Sequence, residues 1–281
     1  MQIQASEGKI AVILPVYNGD SPSRFRTALK SVFSQTECEP LIFVGIDGSI
    51  NRGLEEVLND YSARIFSVTR NEQNQGLAST LNKLIEKCLQ YQEIELIFRM
   101  DADDESLPRR LTSQIDFFSS HPNVAVLGMA CIEVNETGKS LGTKVMPLAH
   151  EDLRRHFYKR SPFVHPTVAF RKEIFESGVR YPIAYDLCED IALWGILLQK
   201  RYRFANLREP GLVFTNSAAT LARRHTIRKG FNELKIRIDT WKNDDDSEWT
   251  DLIHLGLAFA FKILPKKVAL KLYSKAMTET S

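Results

Sequence analysis

The sequence contains few cysteines and none of the spacings that bind zinc or form a redox pair. Four cysteines are spread widely over 281 residues, and no two of them form a CxxC motif. We therefore expect free, buried thiols in a reducing compartment. The first nine residues include an acid and have no apolar run of the kind that a secretory signal needs. Together these features predict a cytoplasmic protein.

The sequence also lacks a hydrophobic run long enough to cross a membrane. Its longest strongly apolar stretch, Leu252 to Leu264, is shorter than the ~20 residues that a spanning helix needs, and His254 and Lys262 interrupt it. An excess of one charge is absent as well, because 37 basic side chains oppose 35 acidic ones. The overall charge therefore gives no reason to expect a nucleic-acid partner.

Short apolar runs alternate with helical patterns in the N-terminal part of the chain. Runs over 9–16, 41–46, 64–69 and 95–100 predict strands, and apolar residues at helical spacing between them predict helices. This alternation indicates βαβ units and an α/β fold with a mixed, mostly parallel central sheet flanked by helices.

After about residue 123 the pattern changes, because strands there are separated by a hairpin-like turn rather than by helices. Later elements are predicted as a strand over 163–170, a helix over 190–200 and a short strand over 203–207. Since no Gly/Ser-rich linker divides the chain, we predict one domain over 1–220, which is large enough for a catalytic domain, followed by a helical extension. The boundaries we expect are 1–122 and 123–220 for the two halves of the domain, and 221–281 for the extension.

Polar groups end three of the predicted strands. They are Tyr17-Asn18, Asp47-Gly48-Ser49 and the run Asp101 to Asp104. Because ligands bind beyond the carboxyl ends of the strands in a parallel sheet, we expect these groups to meet at one crevice.

The acidic run after the fourth predicted strand is the most informative of these groups. Alternation along a strand predicts that Asp101 and Asp103 share one face, where a divalent cation with oxygen ligands, Mg²⁺ or Mn²⁺, could bind. An Asp-rich turn that caps the helix after Pro108 is an alternative. A phosphatase, with Asp101 as nucleophile and Asp103 as general acid, is disfavoured because Glu105 stands where that chemistry usually has Thr or Val.

An ordered set of motifs over residues 9–235 resembles the inverting glycosyltransferases of family 2. The motifs are ILPVYNG at 13–19, IDGS at 46–49, NxGLAxxLN at 74–82, RxDADDxSLPxRxxxQ at 99–114, HPNVAVLG at 121–128, SPFVHPTVAFRK at 161–172, and Glu189-Asp190 before an apolar helix. The resemblance implies a GT-A (Rossmann-like) fold, a nucleotide-sugar donor and Mn²⁺ or Mg²⁺.

The resemblance also implies roles for individual residues on the donor side. Asp103, supported by Asp101, would hold the metal, which stabilises the diphosphate leaving group. Uridine is the expected base, although Ile46 occupies a position where relatives often have a second Asp. The nucleotide-sugar-binding residues implied are Pro15, Tyr17, Asn18, Asp47, Asn74, Gly76, Arg99, Asp101 and Ala102.

On the acceptor side the resemblance implies that Asp190 is the catalytic base, while Glu189 and His165 contact the acceptor. An alternative is that Glu189 and Asp190 only stabilise the start of a helix through its dipole. Many relatives carry Tyr-Arg-x-His where this chain has Phe214-Thr215-Asn216, so a third metal ligand stays open. The pair Arg223-Arg224 resembles a subgroup in which paired arginines reach phosphate or acceptor.

The C-terminal sequence is basic, with no acidic residue between Leu252 and Thr278. Lys267, Lys271 and Lys275 recur at helical spacing, which predicts an amphipathic helix that binds an anionic membrane. Packing on the catalytic domain or on a second subunit is the alternative.

We therefore expect a metal-dependent, inverting glycosyltransferase. It would move a sugar from a nucleotide donor, with UDP as the first choice, to a hydroxyl of a glycan or lipid-linked acceptor in bacterial capsule or lipopolysaccharide synthesis. A non-catalytic nucleotide-sugar-binding protein, a phosphatase and a membrane scaffold remain as alternatives.

Overall fold

The computed structural model describes residues 9–185, 187–215 and 227–263. Its strands are β1 (Lys9–Tyr17), β2 (Leu41–Asp47), β3 (Ser67–Arg70), β4 (Ile94–Arg99), β5 (Glu105–Ser106), β6 (Val124–Val134), β7 (Ser140–Lys144), β8 (Ala169–Arg171) and β9 (Arg203–Thr215). Its α-helices are α1 (Pro22–Phe33), α2 (Arg52–Asp60), α3 (Leu77–Leu89), α4 (Arg110–Ser120), α5 (His150–Phe157), α6 (Glu173–Glu176), α7 (Glu189–Gln199), α8 (Ile227–Asn243) and α9 (Trp249–Ile263).

All nine strands join one sheet in the order β3-β2-β1-β4-β8-β6-β9-β5, with β7 paired to β6. The first four strands in this order are parallel to one another. In β1 every residue from Ile10 to Val16 is buried, because helices cover both faces of the sheet. The α/β prediction with a mostly parallel sheet is confirmed.

The second half of the sheet mixes both orientations. Strand β8 lies antiparallel between β4 and β6, whereas β6 and β9 are parallel. The prediction of a short strand over 203–207 was wrong in length, since β9 continues to Thr215 through register shifts opposite Met129 and Ala130.

The predicted strand over 163–170 was also wrong. A 3₁₀ turn, His165–Thr167, occupies its middle, and only Ala169–Arg171 pairs with the sheet. Pro166 has no N–H to give to a ladder, and Thr167 bonds back to the Val164 carbonyl through its backbone N–H and its hydroxyl. Strand β3 likewise begins later than predicted, because the chain turns at Tyr61, whose carbonyl accepts from the N–H of Ile65.

The C-terminal helices pack against the rest of the structure through α7 and α5. Arg154 of α5 forms a fully buried ion pair with Asp251 of α9, at 3.0 Å from Nη1 to Oδ2. Arg237 of α8 donates to the Phe157 carbonyl at 2.6 Å. Among the described residues, no helix combines the length and apolar character that crossing a membrane requires. Arg223, Arg224 and the lysines from 266 to 275 lie outside those residues.

Helices α7 and α8 approach most closely at Gly195. A Cβ atom on Gly195 would lie 2.3 Å from the Thr240 hydroxyl oxygen, and the next contact would be Phe157 at an ordinary 3.5 Å. We expect Gly195→Ala to lower the free energy of unfolding by about 1–3 kcal/mol through overpacking. The double variant Gly195→Ala/Thr240→Ala should recover most of that loss in thermal denaturation.

Gly256→Ala in α9 is the matched control, since nothing lies within 4 Å of its added Cβ. Alanine has a higher helix propensity than glycine, so this variant should unfold at the same temperature as the wild type or at a higher one. Equal destabilisation by Gly195→Ala in the presence and absence of the Thr240 hydroxyl would contradict the close approach of the two helices.

Candidate active site

The carboxyl ends of β1 and β2 lie side by side, with Tyr17 opposite Asp47 in register. Asp47 is buried and accepts three hydrogen bonds of 2.8–2.9 Å, from the Asn71 amide and from the backbone N–H groups of Gln75 and Gly76. Its carboxylate therefore holds the loop between β3 and α3 against the strand end. The predicted contact of Asp47 with the nucleoside base stays a prediction.

Glycines permit the close approach of this loop to β2. Gly48 has φ +81° and a Cβ there would lie 2.8 Å from the Asn74 nitrogen. Gly76 has φ +86°, a left-handed conformation that favours glycine, and precedes α3. Asn74 itself is exposed. The loop thus places both predicted donor residues, Asn74 and Gly76, beside the end of β2.

The other predicted donor residues of β1 differ in exposure. Pro15 is buried within the strand, whereas Asn18 is exposed. Tyr17 is 39% exposed, and its ring lies against Gly19, where a Cβ would come within 2.6 Å of the ring atoms. An accessible aromatic side chain therefore stands at the predicted nucleoside end of the sheet.

The acidic run Asp101 to Asp104 is a turn and not the end of a strand. Strand β4 stops at Arg99, so the argument from strand alternation was wrong. The turn instead brings carboxylate oxygens of Asp101, Asp103 and Asp104 within 4.8 Å of one another. Asp104 was not predicted as part of the cluster, although three carboxylates in four positions were the signal for it. Ala102 is buried in the apolar core beneath.

The cluster has the character of a cation site. Burial, and then the charge of Asp101, raise the pKa of Asp103, and burial with both neighbouring acids raises the pKa of Asp104 well above its usual range. In the described part of the chain, Asp104 Oδ2 is buried without a hydrogen-bond partner. Oxygen ligands and an excess of negative charge suit Mg²⁺ or Mn²⁺, so these residues fit a divalent metal.

The end of β9 contacts this cluster through Thr215. Thr215 belongs to the segment where the family resemblance predicts the motif Tyr-Arg-x-His. The Thr215 N–H donates to Asp104 Oδ1 and its hydroxyl donates to the Asp103 carbonyl, both at 3.4 Å. Thr215 stands where the family motif has its arginine. Asn216 lies outside the described residues.

Arg99 connects the two sides of the site. It is 2% exposed, and its Nη2 lies 2.5 Å from Asp101 Oδ1. Its Nε and Nη1 atoms have no hydrogen-bond partner among the residues that the structure describes. Burial lowers the pKa of His165, and the positive charge of the Arg99 guanidinium lowers it further. The same charge opposes the rise in the pKa of Glu189. The charge of Arg99 therefore acts both on Asp101 and on the predicted acceptor residues His165 and Glu189.

Arg110 and Gln114 of α4 hold the end of β4 and the neighbouring turn in place. The sequence predicted no role for either residue. Arg110 is buried, and its Nη2 donates to the carbonyls of Arg99 at 2.6 Å and Pro166 at 2.9 Å. Gln114 donates to the carbonyls of Leu127 and Thr167. These residues join the end of β4 to the turn that carries His165. Their signal was the RxxxQ end of the motif at 99–114, since i and i+4 share one helix face.

His165 lies in the 3₁₀ turn, with Nε2 3.0 Å from the Tyr181 hydroxyl. Burial, and then Arg99, hold its pKa well below the usual range, so the imidazole is neutral near pH 7. Tyr181 is fixed in turn by the side-chain amide of Asn82, which donates to the Tyr181 carbonyl and accepts from the Tyr181 N–H, both at 2.8 Å. Asn82 ends the motif at 74–82, and this contact explains its place there.

Glu189 and Asp190 are the first two residues of α7, after Cys188. Burial, and then the charge of Asp190, raise the pKa of Glu189 to about 7. The same two acids raise the pKa of the Tyr181 hydroxyl, after the larger effect of burial. The structure therefore brings Glu189, Asp190, Tyr181 and Arg99 into one electrostatic neighbourhood.

The sequence relatives of the chain are glycosyltransferases. It is 28% identical over 270 residues to "Amylovoran biosynthesis glycosyltransferase AmsE" of Erwinia amylovora, which covers 94% of this chain and 98% of that protein. It is 26% identical over 276 residues, 96% of each chain, to the Escherichia coli protein named UDP-Gal:alpha-D-GlcNAc-diphosphoundecaprenol beta-1,3-galactosyltransferase.

The fold is shared with solved structures. Residues 1–349 of S. aureus TarS, in complex with UDP-GlcNAc, match with a TM-score of 0.66 and 19% identity over 91% of this chain and 73% of that one. At this identity the likeness concerns the fold, which is the GT-A fold. A family model described as Glycosyl transferase family 2 matches residues 11–178, from β1 to just beyond α6. Since this match covers more than half of the chain, the protein belongs to glycosyl transferase family 2.

Proposed function

We propose that the protein is a metal-dependent, inverting hexosyltransferase of bacterial surface polysaccharide synthesis, with residues 1–220 as its catalytic domain. It moves a sugar from a nucleotide donor, with UDP as the expected nucleotide, to a hydroxyl of a glycan or lipid-linked acceptor on the cytoplasmic side of the membrane. The observation that carries this proposal is the carboxylate turn Asp101 to Asp104, joined through Arg99 to the acids that begin α7. The names of the E. amylovora and E. coli relatives support a glycan or lipid-linked acceptor.

On the donor side, Asp101, Asp103 and Asp104 would hold Mg²⁺ or Mn²⁺. A bound cation supplies charge stabilisation for the diphosphate leaving group, so no protein acid has to protonate it. Tyr17, with Pro15 and Asn18, lines the nucleoside, and Asp47 contacts the base while it holds the loop that carries Asn74 and Gly76. Arg99 keeps Asp101 in place from below.

On the acceptor side, Asp190 takes the proton of the acceptor hydroxyl. The hydroxyl oxygen forms a bond to the anomeric carbon as the bond from that carbon to the phosphate oxygen breaks, and the nucleoside diphosphate leaves with the bonding electrons. Glu189 positions the acceptor. His165, neutral and fixed by Tyr181, contributes hydrogen bonds to the acceptor sugar rather than charge.

A panel of nucleotide sugars tests the donor side. We expect Mn²⁺ together with one UDP-sugar or UDP to raise the melting temperature, and Asp103→Asn to weaken nucleotide binding by about tenfold or more, because a metal ligand is lost. Asp116→Asn, at an exposed position of α4, is the matched control and should bind as the wild type does. A metal-independent response to every donor, or none to any, would contradict the proposal.

Asp190→Asn tests the base. Since general-base catalysis contributes typically 10²–10⁴-fold, sugar transfer to a lipid extract should fall by about 100-fold or more, while the thermal shift with UDP and Mn²⁺ is kept. Asp152→Asn makes the same change in the first turn of α5 and should leave transfer unchanged. If Asp190→Asn retains transfer, the helix-dipole alternative for this residue is correct.

Glu189→Gln tests the burial of the neighbouring acid. Because the folded-state pKa of Glu189 is about 7 and its ordinary value is 4.5, ionisation destabilises the folded state progressively as pH rises between these values. The variant should therefore melt about 2 °C or more above the wild type at pH 8 and equally at pH 4. Glu136→Gln, which replaces an exposed acid in the turn between β6 and β7, is the matched control. A constant difference across this pH range would contradict the raised pKa.

A non-catalytic nucleotide-sugar-binding protein is the second candidate, because the carboxylate turn alone suffices for binding. Binding of UDP and Mn²⁺ without release of nucleoside diphosphate in the presence of any acceptor would favour it.

A further inference from the structure

Helix α9 presents an apolar stripe to solvent. Trp249, Ile253 and Leu257 recur at i, i+4 and i+8 on one face and are 77%, 64% and 66% exposed. Gly256 and Ala260, also exposed, continue the same face. A helix at the surface of a water-soluble protein normally carries polar residues on its solvent-facing side. We refer to these five residues as the α9 stripe.

The opposite face of α9 is packed, so the stripe is not a consequence of an unfolded segment. Leu255 is buried, and Asp251 forms the buried ion pair with Arg154. Phe259 contacts Phe231 of α8 at 5.2 Å between ring centroids. Asp251 is the sole acid between Trp249 and Ile263, and its burial leaves the exposed stripe without negative charge.

Charge in the sequence distinguishes the two ends of α9. Asp245 and Asp246, both exposed, precede the helix. From Leu252 onward the sequence has no acid until Glu279 and carries five lysines: Lys262 in the last turn of α9, and Lys266, Lys267, Lys271 and Lys275 after it. An apolar stripe that continues into a basic sequence is complementary to a surface with apolar chains beneath anionic headgroups.

Helix α8 links α9 to the candidate active site. The Cys188 thiol donates to the Lys229 carbonyl at 3.7 Å, directly before Glu189. Phe231, two residues beyond Lys229, is 56% exposed and contacts Phe259 near the end of α9. Leu187, just before Cys188, is exposed as well, at 38%. Exposed apolar side chains are therefore present both on α8 beside α9 and directly before α7.

We propose that the α9 stripe docks on an anionic lipid surface, with its C-terminal end and Phe231 turned toward the lipid. This orientation places the start of α7, with Glu189 and Asp190, next to the membrane, where the hydroxyl of a lipid-linked acceptor is presented. The benefit to catalysis rests on the proposed function, whereas the docking itself does not.

The experiment measures co-sedimentation of the full-length protein with vesicles, without any sugar donor. Vesicles of phosphatidylglycerol and phosphatidylcholine are compared with vesicles of phosphatidylcholine alone. We expect the wild type to bind the anionic vesicles, and Ile253→Glu/Leu257→Glu to bind about tenfold or more weakly, because two apolar side chains no longer enter the lipid. Leu141→Glu/Val145→Glu is the matched control, since these exposed residues lie at β7, away from α9; it should bind as the wild type does.

Three outcomes would overturn the proposal: no binding by the wild type, equal binding by both double variants, or a wild-type dimer that Ile253→Glu/Leu257→Glu converts to a monomer in light scattering. The last outcome assigns the stripe to a second copy. Melting temperature and the response to UDP with Mn²⁺ are measured on each variant. Loss of vesicle binding with that response intact isolates docking, and vesicle binding without any response to nucleotide refutes the proposed function while leaving docking in place.

Discussion

Crowding of three carboxylates in the turn after β4 is the constraint on which the rest of the site depends. After burial, the charge of Asp101 raises the pKa of Asp103, and the charges of Asp101 and Asp103 raise the pKa of Asp104. Two buried guanidinium groups, of Arg99 and Arg110, offset this repulsion from the protein side. Arg99 pairs directly with Asp101, while burial lowers the pKa of Arg110 to about 9 even though Asp104 opposes this shift. A divalent cation would complete the neutralisation from the open side.

This constraint explains why the two halves of the domain are joined by side chains as well as by the sheet. Arg110 donates to backbone carbonyls of β4 and of the 3₁₀ turn, so a shift of the turn would remove one partner of a buried charge. The same turn holds His165 against Tyr181, which Asn82 of α3 fixes in turn. The proposed acceptor residue His165 is therefore positioned by contacts that begin at β4 and α3.

The sequence predicted the parallel half of the sheet because strands buried on both faces appear as continuous apolar runs, as β1 does. It failed where one residue decides the local geometry: Pro166 turns an apolar run into a 3₁₀ turn, and β4 ends at Arg99, before the acids. The partners of Asp47 and the length of β9 both depend on contacts across more than 20 residues of sequence. Local periodicity carries no information about such contacts.

The donor and acceptor sides differ in how firmly the backbone is held. Tyr17 and Asp47 stand at the ends of neighbouring strands whose pairing in register fixes them. Glu189 instead follows a segment in which Ile183 is 73% exposed and Leu187 has φ +61°, a conformation unfavourable for a leucine. Helix α7 is held mainly by packing against the core and α8. The proposed donor and acceptor residues therefore stand on elements that the fold holds in different ways.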